Sequence, residues 1–170
     1  MKKILIALLF VTSIGLQLDA QQKFGHLNSS QLLTEMQEIK SANAELETYQ
    51  KQLMSKGQKM VTDLQTKVQG YKVEYDSGTL SALQAQQVDA EIQKDQEAIR
   101  AYEIDMQQKI GNKRETLYKP LLDKVKNAIA KIGKEKGYTM IFDTSVPGAI
   151  VHAQITDDVT ALVKAELGIQ

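Results

Sequence analysis

From residue 31 to residue 119 the chain carries no proline and no cysteine, and its apolar residues fall at helical spacing on both sides of a single break. The break is Asp76-Ser77-Gly78-Thr79, whose residue types favour a turn. It separates two runs, 31–75 and 80–119, which as helices would reach roughly 67 and 60 Å at about 1.5 Å per residue. Two matched helices joined by a short turn fold back as an antiparallel hairpin. A hairpin so long and narrow encloses nothing; it is an arm.

Leu32, Met36, Ile39, Asn43, Leu46, Gln50, Leu53, Gly57, Met60, Leu64, Lys67 and Tyr71 alternate by four and three, the spacing of a coiled-coil seam. Its middle is weak, because Asn43, Gln50 and Gly57 occupy successive sites of one type. Two readings follow: an arm that flexes at mid-length, or an imperfect seam without consequence. Met54, Val61, Val68 and Tyr75 form a second row one position past the seam. Either a straight helix slips against the heptad and carries the seam toward Val68 and Tyr75, or the row widens an apolar face that grips a partner. Drift is the reading favoured here. On the returning run Ala85, Ile92, Ile99 and Met106 repeat every seven residues, while Leu83, Ala90 and Ile104 point away from that row. Ser81-Ala82-Leu83-Gln84 fits a capping box at its start.

Pro120 permits a helix start or a kink, and the arm is expected to close there. Leu121, Leu122, Val125, Ala128, Ile129 and Ile132 then mark an amphipathic helix ending near Gly137. Residues 24–28, 139–143 and 149–153 read as strands, the last two as a hairpin, and Thr156-Asp157-Asp158 caps a final helix. The arm returns its ends together, so the three strands can meet in one small sheet. Such a body holds few large apolar residues and has no disulfide to support it, since the chain has no cysteine. Self-association through the strand residues Phe24, Leu27, Ile141, Phe142, Ile150 and Val151 is the expected remedy.

Met1-Lys2-Lys3 and the apolar run after it read as a cleavable export signal over residues 1–20, too short and diluted for a membrane span. Lys plus Arg equals Asp plus Glu at 21 each, so no overall field favours nucleic acid or anionic membrane. Neither a phosphate-cradling glycine loop nor a nucleophile elbow occurs. His26 and His152 both fall in expected strands, where ordinary sheet residues are a better reading than a shared metal site. No enzymatic activity, metal or cofactor is expected.

Phe24-Gly25-His26-Leu27-Asn28-Ser29-Ser30-Gln31-Leu32-Leu33 opens the mature chain. Pro120-Leu121-Leu122, Lys134-Glu135-Lys136-Gly137-Tyr138, Phe142-Asp143 and Ile155-Thr156-Asp157-Asp158-Val159 close it, beyond the long helical insert. In order and separation these motifs resemble the OmpH/Skp family of periplasmic chaperones for outer-membrane proteins. The resemblance implies a homotrimer whose arms extend like tentacles around a cavity, holding unfolded β-barrel precursors without ATP. Well-known members are strongly basic, whereas this chain is neutral, so strong lipopolysaccharide or membrane binding is not carried over. Gln154 stands where the family often has an acidic residue.

The expected fold class is therefore α+β: a small sheet-and-helix body over 21–30 and 120–170, with the arm over 31–119 inserted, assembling as a trimer. The expected function is that of a soluble periplasmic holdase for unfolded outer-membrane proteins. Its client-facing candidates are Met54, Val61, Val68, Tyr75 and Ile104. A structural coiled-coil spacer or adaptor of the cell envelope is the alternative.

Overall fold

The structure, a computed structural model, describes residues 22–148 and 150–169. The export signal expected over 1–20 lies outside them. In chain order the elements are β1 (Phe24–Leu27), α1 (Ser29–Glu35), α2 (Gln37–Asp76), α3 (Ala82–Glu135), β2 (Met140–Asp143), a 3-10 turn (Ile155–Asp157) and α4 (Thr160–Leu167).

β1 and β2 pair in parallel, with Phe24 opposite Met140 and Leu27 opposite Asp143. Parallel partners need a long crossover, and here the whole arm supplies it. Alternation along β1 sends Gly25 and Leu27 inward and leaves Phe24 exposed. Leu27, Leu32, Met36, Val159 and Val163 are the most deeply buried side chains, joined in one cluster by Ile39, Val125, Ala128 and Ile132. The core therefore sits where the root of the arm, the sheet and α4 meet. Lys131–Glu166 at 2.7 Å and Lys164–Glu35 at 2.5 Å clip α4 to α3 and α1 from outside.

Local chemistry accounts for the element ends. The Asn28 side chain accepts the Gln31 amide at 2.9 Å and starts α1. Ser81 and Gln84 form the full capping box of α3. At the tip, Ser77 Oγ and Thr79 Oγ1 both donate to the Glu74 carbonyl at 2.9 Å. Gly78 there adopts φ +69°, which a side chain would disfavour.

Three expectations are corrected. The outgoing run is not one helix: Met36 is extended (φ −67°, ψ 126°) and divides α1 from α2. Its side chain is fully buried, so the break turns α1 onto the body while α2 follows α3 outward. Neither does Pro120 close the arm, because it lies inside the single 54-residue helix α3. The amide it lacks would have met the Thr116 carbonyl, and both residues lie on the solvent side, where water can serve that carbonyl. Residues 150–154, finally, carry no strand, and the sheet among the described residues has two strands. The outer edge of β1 is already taken: the Val159 amide donates to the His26 carbonyl at 2.9 Å, and His26 bridges to Asp158. The expected hairpin thus has no place on β1 within one chain.

Candidate functional site

Along α2 Gln50, Leu53, Gly57, Met60, Leu64, Lys67 and Tyr71, positions of the seam read from the sequence, are half-buried, as are Tyr49 and Val61. The seam does not drift. Met54 and Tyr75 stay outside it at 63% and 62% exposure, Val68 is exposed, and Val61 is half-buried. Two helices that wind about each other hold a 3.5-residue repeat in place, which removes the slip expected of a straight helix. On α3, Ala85, Val88, Ile92, Asp95, Ile99, Tyr102 and Met106 answer the seam, with Tyr102 buried.

The weak middle is filled. The Tyr102 ring packs over Gly57, its Cε1 3.3 Å from where a β-carbon there would stand. Its hydroxyl donates to the Leu53 carbonyl at 2.9 Å, and the Lys56 ammonium lies 5.2 Å from the ring centroid. Asn43 accepts a hydrogen bond from the Tyr118 hydroxyl. Asn43 and Gly57 therefore hold cross-helix partners, and a seam without consequence does not describe these two sites.

Charge enters the seam farther out. Lys67 reaches Asp95 at 2.5 Å and Glu91 at 3.3 Å across the hairpin. The hydrogen bond that Lys67 donates to Asp95 raises the Lys67 pKa against the opposing pull of desolvation. Nearer the root, Lys113 pairs with Glu45 at 2.5 Å and Lys124 with Glu38 at 2.6 Å.

Ile104 is 73% exposed and, with Leu83 and Ala90, faces away from the seam. The client-facing candidates therefore do not gather in one pocket; they are strung along the outside of the arm. Val73 belongs with them by exposure, although the sequence reading passed over it. Its signal was available: it lies two residues past Tyr71, off both rows.

On the body, Phe24 and Phe142 are exposed on the outer sheet face with ring centroids 6.2 Å apart. Met140, opposite Phe24, extends the same face, and alternation along the expected strand could have named it. Val151 is 94% exposed, and Ile141 and Ile150 are half-buried. Leu27 differs from its group, since it is spent in the core of its own chain.

An open depression of about 650 Å³ lies beside Lys23, Phe24, His152, Gln154 and Asp157. His26 Nε2 is 2.9 Å from the Gln154 carbonyl oxygen, a structural bond between β1 and the segment before the 3-10 turn. Among the described residues no group of three or more His, Cys, Asp or Glu side chains is placed to hold a metal ion. No helix among them is long and apolar enough to cross a membrane.

Comparison with known proteins agrees with this architecture. The chaperone protein Skp of Yersinia enterocolitica is 26% identical over 95% of this chain and 96% of its own length. The chaperone protein Skp of Pectobacterium atrosepticum is also 26% identical, over 96% of this chain and all of its own. A crystal structure from Caulobacter crescentus CB15, described as that of a candidate OmpH-like outer membrane chaperone, superposes with a TM-score of 0.74. It covers 87% of this chain and 85% of the other at 16% identity, a likeness of fold. The family model of OmpH-like outer membrane proteins matches residues 23–167, and the chain belongs to that family.

Proposed function

We propose that the protein is an ATP-independent periplasmic holdase that keeps unfolded outer-membrane β-barrel proteins from aggregating between its helical arms. The observation that carries this reading is the exposed apolar row on a hairpin whose own seam is already complete. Met54, Tyr75 and Ile104 lie outside the seam and keep most of their surface facing solvent. Burying one such side chain against a client stabilises contact by about 1.5–3 kcal/mol at most, so many weak contacts must act together. Flexible thioethers such as Met54 suit clients of varied sequence.

Several arms surrounding one client would multiply these contacts, which is why the reading includes a homotrimer joined through the body. Phe24, Phe142 and Val151, with Ile141 and Ile150 beside them, are the surfaces offered to neighbouring copies. Leu27 supports them from within the core. Export to the periplasm accords with the named relatives and with the signal read over residues 1–20.

The test is suppression of aggregation when a urea-unfolded β-barrel protein is diluted into buffer with the full-length mature chain. Met54→Gln and Ile104→Gln are expected to weaken holding while leaving the melting temperature unchanged, because neither side chain is buried. Wild-type protein that leaves aggregation untouched would favour the structural spacer. Sedimentation at micromolar concentration tests the assembly, and a folded monomer would remove the trimer.

A further inference from the structure

The neutral overall charge conceals an uneven distribution along the arm. Over its outer part, residues 64–98, three lysines (67, 72 and 94) stand against six carboxylates (74, 76, 89, 91, 95 and 97). Lys67 is occupied by Asp95 and Glu91. Lys72 and Lys94 then face Glu74, Asp76, Asp89 and Glu97, an excess of negative charge on the exposed surface. None of these six residues is in an ion pair with another.

The same region carries an unpartnered apolar and aromatic strip. Val68 and Tyr75 are exposed, one heptad apart on one flank of α2, and Tyr71 lies between them at the rim of the seam. The Tyr71 and Tyr75 rings are 5.9 Å apart at an interplanar angle of 50°, which leaves Tyr75 open to solvent. Asp89 of α3 lies beside Tyr71: desolvation raises the Tyr71 pKa, and Asp89 raises it further through its charge and by accepting a hydrogen bond from the Tyr71 hydroxyl. Two tyrosine rings beside a carboxylate make a site for a cation, which gains from the ring faces and from the negative charge together. Lys72, one turn before Asp76, is the cation of α2 nearest in sequence, and it works against this attraction only in part.

We infer that Val68, Tyr71, Tyr75 and Asp89 form a docking strip for unfolded polypeptide segments in which a lysine or arginine lies among apolar residues. Val68 and the tyrosine rings take the apolar side chains, and the ring pair with Asp89 takes the cation. This rests on the holdase reading and narrows it: cationic apolar segments are gripped at the outer arm, and acidic segments of equal apolarity are not.

The experiment uses the full-length mature chain and two labelled unstructured peptides of equal length. Both carry the same leucines and phenylalanines; one has two arginines where the other has two glutamates. Anisotropy titrations at low salt should show the arginine peptide binding more tightly. Tyr75→Ser and Asp89→Asn should each weaken it, roughly two- to fivefold for a single exposed cation–π or charge contact. Binding of the glutamate peptide should not weaken. Tyr75 lies outside the seam, so circular dichroism of that variant should match wild type; Asp89→Asn provides a second variant with almost no change in volume. Equal affinity for the two peptides, or variants that bind the arginine peptide as wild type does, would overturn the proposal. So would tight tip-dependent binding to neutral phosphatidylcholine vesicles without peptide preference, which would assign the strip to a membrane. The dilution assay with a neutral β-barrel protein separates the two readings. Failure there with the peptide preference intact removes the holdase, and success there without the preference removes the strip alone.

Discussion

Tyr102 of α3 occupies the space left by Gly57 of α2, and its hydroxyl ties the two helices together through the Leu53 carbonyl. A residue that is poor for a helix is thus the socket for the one buried aromatic described in the arm. Two effects compete when Gly57 is replaced. Alanine is favoured over glycine in a helix by about 1 kcal/mol. Its β-carbon, however, would stand 3.3 Å from the ring, closer than ordinary van der Waals contact.

Gly57→Ala should therefore change stability by less than about 1 kcal/mol, while Gly57→Leu should destabilise by about 1–3 kcal/mol through overpacking. Urea unfolding followed by circular dichroism at fixed protein concentration measures both. If Gly57→Leu unfolds at the wild-type midpoint, the ring is not held in this socket.

The seam itself was legible because its period is set by every heptad at once, and no single misfit residue changes it. The turn and the capping box were legible for a local reason, since Ser81 and Gln84 act within three residues. The cap expected at Thr156-Asp157-Asp158 was not, because Ile155–Asp157 form a 3-10 turn and Val159 stands at the start of α4. What the sequence hid depends on distant partners. Gly57 read as a weakness until Tyr102, far along the chain, filled it. Met36 gave no sign of a break, since it is neither proline nor glycine; its burial in the body decides its backbone. Pro120 misled in the other direction, because a proline on the solvent side of a long helix is tolerated when packing on the other side continues. No strand forms over 150–153, and Asp158 and Val159 take the edge of β1 that β2 leaves. Among site candidates, exposure now distinguishes Met54, Tyr75 and Ile104 from the half-buried Val61 and the core residue Leu27.

Lys67 tests how the polar seam is held. Removing it alone leaves Asp95, which is partly buried, without its 2.5 Å partner. Replacing both with apolar residues of similar size removes the charges together and adds apolar contact at seam positions. Lys67→Met should destabilise, and Lys67→Met with Asp95→Leu should be at least as stable as wild type. A double-mutant cycle on urea midpoints checks the sign. Purely additive effects would show that the pair has no coupling worth measuring.

Asp143 sets an acid limit on the body. Burial pushes its pKa upward, but the Ser29 hydroxyl at 2.5 Å, the Ser145 amide at 2.9 Å and the Ser29 amide at 3.1 Å favour the carboxylate and prevail. Its folded pKa is thus below its unfolded value. The contribution is complete above the ordinary aspartate value of about 3.9 and is lost as pH falls through the folded pKa. Asp158 is lowered too: desolvation opposes, while the Thr160 amide and hydroxyl prevail. Melting temperature should change little between pH 7 and about pH 5 from these groups and decline below about pH 4. Asp143→Asn should be less stable at neutral pH and decline less steeply in acid. A parallel decline in both proteins would assign the acid loss elsewhere.

Pro120 offers a test at the root of the arm. It interrupts a helix that continues for fifteen residues toward the body, to Glu135. Its ring cannot donate to the Thr116 carbonyl and crowds the preceding turn. An alanine there would restore the amide and relieve the crowding. In a helix interior, alanine is favoured over proline by about 3 kcal/mol, less whatever local adjustment of the helix already relieves. The exposed side chain contributes little packing to set against this gain. Pro120→Ala should therefore stabilise by about 1–3 kcal/mol, read as a higher urea midpoint at equal protein concentration. Since α3 carries both the arm seam and the core residues Val125, Ala128 and Ile132, arm and body should unfold in one transition that moves together. A gain confined to an early arm transition would show that the two halves of α3 unfold separately, and a lower midpoint would show that the core depends on Pro120.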